Sequence, residues 1–161
     1  MAIVYYDDFI YQNQSFIYAY TDIGICFIGS PNSDINEMND FIKPEKIIKK
    51  ANNTIKEELI SYLSGKLIEF NQAIDLSWST AFQKSVYSAL SQVKYSELTD
   101  YSSLASTINQ PTATRAVATA VAKNPVLFMI PCHRVIRKNG SLGGYRAGLP
   151  LKQYLLNLEK K

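Results

Sequence analysis

Cys132 and His133 stand side by side in the run Ile130-Pro131-Cys132-His133-Arg134-Val135, which joins one of two cysteines to the only histidine of a 161-residue chain. The thiolate is the nucleophilic form of cysteine, and a neighbouring base or positive charge brings it within reach near neutral pH. Any Cys/His chemistry in this chain must run through His133. The alternative is that Cys132 is a small buried apolar residue, the commonest fate of a free cysteine, and the pair alone leaves the two readings even. Further along, Lys152 and Glu159 are seven residues apart, which sets both on one stripe of a final helix.

The elements that must carry these groups are legible from pattern. Ile3-Val4-Tyr5-Tyr6, residues 16–20 and residues 23–28 alternate and are β-rich, with Gly, Asn, Asp and Pro between them, as in a small antiparallel sheet. Cys26 falls in that apolar strand pattern and reads as core. Residues 32–53 are polar and lysine-rich and read as a loop with a short helix. Thr54-x-x-Glu57 reads as a capping box opening a helix with Ile55, Leu59, Ile60 and Leu63 inward and Gly65 ending it. Thr80-x-x-Gln83 opens a second helix with Phe82, Val86, Leu90 and Val93 on one face, so the boundary between lobes falls within residues 71–79.

A helix pair follows. Asp100 caps a first helix with Leu104, Ala105 and Ile108 inward, Asn109-Gln110-Pro111 turns the chain, and Thr112 is placed to cap a second helix burying Ala116, Val117, Ala120 and Val121. In helix-turn-helix proteins the start of the second helix meets DNA, and Arg115 lies in that first turn beside the small residues Ala113 and Thr114. Residues 126–130 read as a buried strand delivering Pro131 and Cys132. A helix after Pro150 ends the pattern, with Leu151, Tyr154, Leu155 and Leu158 inward.

Composition narrows the classes. Hydrophobic residues make up 47% and charged residues 19%, which fits a folded globular protein. No apolar run approaches the roughly 20 residues of a membrane span. The first residues do not read as a signal peptide, and two unpatterned cysteines make no disulfide framework, so a cytoplasmic protein is expected. The net charge of +3 is unevenly spread: residues 1–80 carry eleven acidic and six basic side chains, residues 81–161 three acidic and eleven basic. A net of −5 against +8 points the second half toward a polyanion. The alternative is two oppositely charged faces that attract each other.

Pro131-Cys132-His133-Arg134-Val135 resembles the active-site signature of the O6-alkylguanine-DNA alkyltransferases, or methylated-DNA–protein-cysteine methyltransferases. Phe82-Gln83 with Val86, Tyr101-Ser-Ser-Leu-Ala105, Arg115-Ala-Val117, Asn124-Pro-Val126, Gly144-Tyr145, Gly148 and Leu155-Leu156 match family landmarks in order and spacing, from about residue 65 onward. The resemblance implies an α/β (α+β) fold. A ribonuclease-H-like supporting lobe with a small antiparallel sheet and a helix would span residues 1–75. A winged-helix-like helix-turn-helix lobe over residues 76–161 would bind DNA and carry the active site.

It further implies a single-turnover repair activity in which O6-alkylguanine, and O4-methylthymine, is flipped out of duplex DNA and its alkyl group is moved irreversibly to Cys132. On this resemblance His133 is the water-mediated base, Glu159 orients it, and Tyr101 and Lys152 stabilise the departing guanine. Arg115 is the finger that fills the vacated stack, with Tyr101, Ala113, Thr114 and Arg134 as further DNA contacts. Val135, Gly144, Tyr145 and Arg146 form the base pocket, and Asn124 is the structural hinge. No cofactor and no metal is expected, since the ligands of the zinc site found in some relatives are missing; the expected partner is double-stranded DNA, with no membrane, and the protein is expected to be a monomer. Two scaffold positions depart from the family pattern, Lys94-Tyr95-Ser96-Glu97 for its usual Pro-Tyr-Gly-Glu turn and Tyr87 for a tryptophan. Arg146 replaces an often small residue and is expected to narrow the pocket against bulky alkyl groups. Alkyltransferase-like binders replace the cysteine that this chain keeps, and a winged-helix regulator would leave Tyr101, His133 and Glu159 without a role.

Overall fold

Alternating apolar residues build β1 (Ile3–Tyr11) and β2 (Gln14–Tyr20), a hairpin turned by Gln12 and Asn13 at φ 48° and 64°. Phe9, Phe16 and Tyr18 are buried on one face of it and Val4 and Ala19 on the other, and β3 (Ile25–Ile28) is buried along its whole length. The computed structural model describes residues 2–160 and separates into two compact units, Met1–Trp78 and Ser79–Lys161. The division falls three residues beyond the expected 75/76 boundary.

The sheet of the first unit runs β3-β2-β1-β4. Its fourth strand, β4 (Lys46–Lys49), corrects the antiparallel expectation, because it pairs parallel to β1 with Val4 opposite Ile47. Residues 32–53 are therefore not only loop. Lys-Ile-Ile-Lys has neither the length nor the alternation of a recognisable strand; as an edge strand it takes its order from β1. The short helix expected there is a 3₁₀ segment, Ile35–Asp40. Val4, Ala19, Cys26, Phe27, Met38 and Ile42 form a core patch with Trp78 against it. Cys26 is part of this core, and burial pushes its thiol up to about 12, which makes it inert.

Helix α1 (Asn53–Leu63) buries Ile55, Leu59, Tyr62 and Leu63. Its cap is Asn52, whose side chain accepts from the Ile55 amide at 3.1 Å, rather than Thr54. Asn52 lies two residues earlier in extended backbone, from which its side chain reaches forward to the amide three residues on.

The second unit begins with α2 (Ala81–Ser91), and here the capping box forms as expected: Thr80 Oγ1 accepts from Gln83 N at 3.1 Å and Gln83 Oε1 from Thr80 N at 2.9 Å. Asp100 caps α3 (Tyr101–Thr107) by accepting from Ser103 N at 2.8 Å. After a turn with Asn109 at φ 61°, α4 (Thr114–Ala122) starts at Ala113 with no side-chain cap, so Thr112 does not hold that place. Val117, Ala120 and Val121 are buried while Ala116 is exposed. Finally α5 (Leu149–Glu159) buries Leu151, Leu155 and two charged residues, Lys152 and Glu159.

Residues 126–130 are buried as expected but form a turn, not a strand. Ile130 N donates to Val126 O at 3.1 Å and Met129 N to Leu127 O at 2.8 Å. Phe128 takes φ 71°, a left-handed conformation that costs a side-chain-bearing residue about 1–2 kcal/mol. The apolar run cannot by itself distinguish a buried strand from a buried turn. The polar residue before it decides: Asn124 Oδ1 accepts from Val126 N at 2.9 Å and Asn124 Nδ2 donates to Ile130 O at 2.7 Å, closing the loop.

Candidate active site

The closed turn at 126–130 hands the chain through Pro131 to a single 3₁₀ turn, Cys132–Arg134, in the second unit. All three of its residues are buried, with Cys132 at 5% exposure, His133 at 0% and Arg134 at 7%. The turn is pinned into place by Thr99, whose amide donates to Arg134 O and whose carbonyl accepts from Ile136 N, both at 2.9 Å.

Burial raises the Cys132 thiol above its ordinary range, while the Asn124 amide and the charges of Arg146 and Lys152 pull it part of the way back. At neutral pH the thiol therefore keeps its proton unless a base removes it. The Cys132 charge also raises the phenols of Tyr87, Tyr101 and Tyr145, although burial is the larger cause for each. These three rings thus share the cysteine's surroundings. Tyr87 Oη is engaged with Ala120 O at 2.8 Å. Tyr145 Oη is buried and makes no hydrogen bond among the described residues.

His133 meets Glu159 of α5 through Nε2 and Oε2 at 2.7 Å, across 26 residues of chain. Burial lowers the His133 pKa most; Glu159 opposes that, and Arg134 and Lys152 add to it. The imidazole is accordingly neutral at pH 7, the form that accepts a proton. The resemblance implies a part for Lys152 in the reaction, and the structure shows what holds its side chain. Its ammonium donates to Val135 O at 2.6 Å, to Gly144 O at 3.2 Å and to Leu142 O. Three donors meet three carbonyls, so one side chain ties the covering loop to the last helix. Burial lowers its pKa and the Cys132 charge acts the other way.

The remaining expected site residues fall into two groups. Val135, Tyr145 and Arg146 belong with Cys132: Arg146 donates from Nε and Nη2 to Asn124 O at 3.2 and 2.9 Å, and Asn124 is 1% exposed. Tyr101 is half-buried at the start of α3, and a Cβ placed on Gly143 would stand 3.7 Å from its Oη. That is an ordinary van der Waals distance, so it is the backbone at φ 70°, not lack of room, that calls for glycine at 143. Gly144 is exposed in the same loop. Arg115 is also exposed and projects from the first turn of α4 beside Ala113 and Thr114.

Arg134 is the correction. Its guanidinium is not available to DNA, because Nε donates to Glu159 Oε1 at 2.8 Å, Nη2 to Glu159 Oε2 at 3.0 Å and Nη1 to Val93 O at 2.6 Å. Its Cζ lies 5.8 Å from the centre of the Tyr95 ring. Sequence reasoning therefore placed Arg134 in the site but in another role, and missed Tyr95 and Val93 as its partners. One signal was present: a carboxylate buried against a neutral histidine needs a cation, and Arg134 is adjacent in the chain.

Residues 81–161 match the family described as 6-O-methylguanine DNA methyltransferase, DNA binding domain. The inducible methylated-DNA–protein-cysteine methyltransferase of Bacillus subtilis (strain 168) is 37% identical over 164 residues, covering 98% of this chain and 91% of its own. The methylated-DNA–protein-cysteine methyltransferase of Methanosarcina barkeri is 41% identical over 121 residues, 75% of this chain and 73% of its own. Among solved structures, Mycobacterium tuberculosis OGT in complex with DNA superposes with a TM-score of 0.83 at 30% identity, covering 97% of this chain and 92% of that one. Among the described residues no cluster of His, Cys, Asp and Glu is arranged to hold a metal ion, and no helix is long and apolar enough to cross a membrane.

Proposed function

The chain belongs to the methylated-DNA–protein-cysteine methyltransferase family, and on that premise we propose that Cys132 accepts the methyl group of O6-methylguanine held in duplex DNA. The observation that carries this reading is a buried thiol followed directly in the chain by a buried histidine whose Nε2 is held by a buried carboxylate. That is the nucleophile, base and orienter arrangement of covalent catalysis. His133, through a water, takes the thiol proton; the sulfur attacks the methyl carbon; the bond from carbon to O6 breaks, and the electron pair leaves on guanine. A proton returns to the base, with Tyr101 placed to donate toward it and Lys152 supplying positive charge nearby. The product is a thioether, so each molecule repairs one base.

DNA is gripped by the α3–α4 pair. The first amides of α4 have no side-chain cap and small neighbours, which favours close approach of a phosphate, and Arg115 enters where the flipped base stood. Arg115, Lys123, Arg137 and Lys138 are exposed and supply the positive surface. Tyr145 Oη offers a buried polar atom to the extruded base, and Arg146 narrows the space around it. The protein acts as a monomer in the cytoplasm, with O4-methylthymine as a second substrate and residues 1–75 as a supporting lobe.

The test is a mass map of the Cys132 peptide after incubation with duplex DNA containing O6-methylguanine. The expected result is one added methyl group on Cys132 and none in Cys132→Ala. No gain, or the same gain in Cys132→Ala, overturns the proposal.

A further inference from the structure

Among the described residues Arg134 is one of two cations buried in the second unit, and its placement needs a reason beyond stability. A buried ion pair seldom stabilises a fold more than apolar residues of the same volume would, because two charges are stripped of water to make it. What the pair does achieve here is geometric. Glu159 Oε1 accepts from Arg134 Nε at 2.8 Å and from the Ser96 amide at 3.3 Å. Its Oε2 accepts from Arg134 Nη2 at 3.0 Å and from His133 Nε2 at 2.7 Å. A carboxylate has about four lone-pair sites, and these four donors fill them. Since an ionised carboxylate only accepts, the proton of His133 sits on Nε2 and the lone pair on Nδ1.

We infer that Arg134 is a positioning residue for the methyl transfer: its two-pronged hold on Glu159 fixes the carboxylate, and through it the tautomer and charge of His133. This rests on the reading of Cys132 as methyl acceptor. The charged and titratable groups facing the pair are Lys152 on α5, Arg134 and Cys132 in the 3₁₀ turn, Tyr95 before α3 and Tyr145 in the covering loop. Glu159 alone would draw a second proton onto the imidazole and convert the base into an imidazolium paired with a carboxylate. Arg134 offsets that charge at hydrogen-bond distance, and its fork, held at the third nitrogen by Val93 O, keeps the carboxylate from turning.

A chain with one histidine gives an unambiguous probe. Imidazole nitrogen NMR of the full chain is expected to show the neutral Nε2–H tautomer, titrating below 6.5. Arg134→Gln is expected to move that titration upward past the ordinary value and to slow single-turnover methyl transfer at pH 7 about a hundredfold. Affinity for duplex DNA and its salt dependence stay unchanged. Arg134→Lys keeps the charge without the fork, and is expected to restore the titration but only part of the rate. In a Glu159→Gln background, Arg134→Gln adds nothing further.

An unchanged His133 titration and tautomer in Arg134→Gln overturns the inference. So does an equal rate loss in the Glu159→Gln background, or a weaker DNA affinity with a shallower salt dependence, which marks a phosphate contact. If Arg134→Gln does not fold, Arg134→Lys decides: a full rate there overturns the need for the fork. Absence of methyl transfer in the unaltered protein sinks the acceptor reading alone, because the NMR arm still tests the hold on His133.

Discussion

Lys152 illustrates how much a single buried ammonium can organise. It is fully buried, and its three donors go to the carbonyls of Val135, Leu142 and Gly144. Replacing it with methionine keeps the length of the stem and removes every donor. Three acceptors then lose their partner, the Val135 carbonyl in a fully buried bond and the other two in part-buried ones, at about 1–3 kcal/mol for each that water cannot reach. Lys152→Met is expected to lower the unfolding free energy by roughly 3 kcal/mol and to speed amide exchange across residues 136–144, measured by denaturant titration and hydrogen exchange. Unchanged exchange in that loop would show that its backbone is held by something else. The sequence made Lys152 and Glu159 neighbours on one helix stripe, which is a matter of periodicity alone. It did not reveal that Arg134 turns inward, because burial of a charged residue is decided by partners 25 and 41 positions away in the chain.

Elements were readable where their determinants are local. The capping box at Thr80 and the cap at Asp100 rest on contacts three residues apart, and both form. Thr54 fails for an equally local reason: Asn52 competes for the same helix start and wins, since its side chain reaches the Ile55 amide. Asn52→Ala is therefore expected to cost about 1 kcal/mol, and Thr54→Ala no more than a few tenths. Comparison of the two unfolding midpoints checks the assignment. Two other elements depend on what lies opposite them. β4 exists only because β1 offers an open parallel edge. The turn at 126–130 exists because Asn124 brackets it, placing Phe128 in a left-handed backbone that no apolar pattern reveals.

At the scale of the molecule, pH acts on folding through the same histidine. Folded His133 holds its proton less tightly than the unfolded chain does, whose ordinary value is 6.5. Well above 6.5 neither state is protonated and nothing is lost. Below it the unfolded state gains a proton that the folded state resists, so stability declines as pH falls, by up to about 1.4 kcal/mol per pH unit. Urea midpoints between pH 7.5 and about 5 are expected to fall on this slope, and His133→Gln to flatten it. Asp100, held below its ordinary 3.8 by the Ser103 amide, enters only at more acid pH. The pairing of His133 with Glu159 also has a consequence for how the protein is made. Cys132, His133 and Arg134 are joined to the growing chain before Glu159, the carboxylate that pairs with two of them. At about 5–20 residues per second, the interval is on the order of one to five seconds. During it the nascent chain carries a cysteine and a histidine with no orienting partner. On the proposed reading, a polypeptide released before α5 is made carries the thiol without the carboxylate that would orient its base.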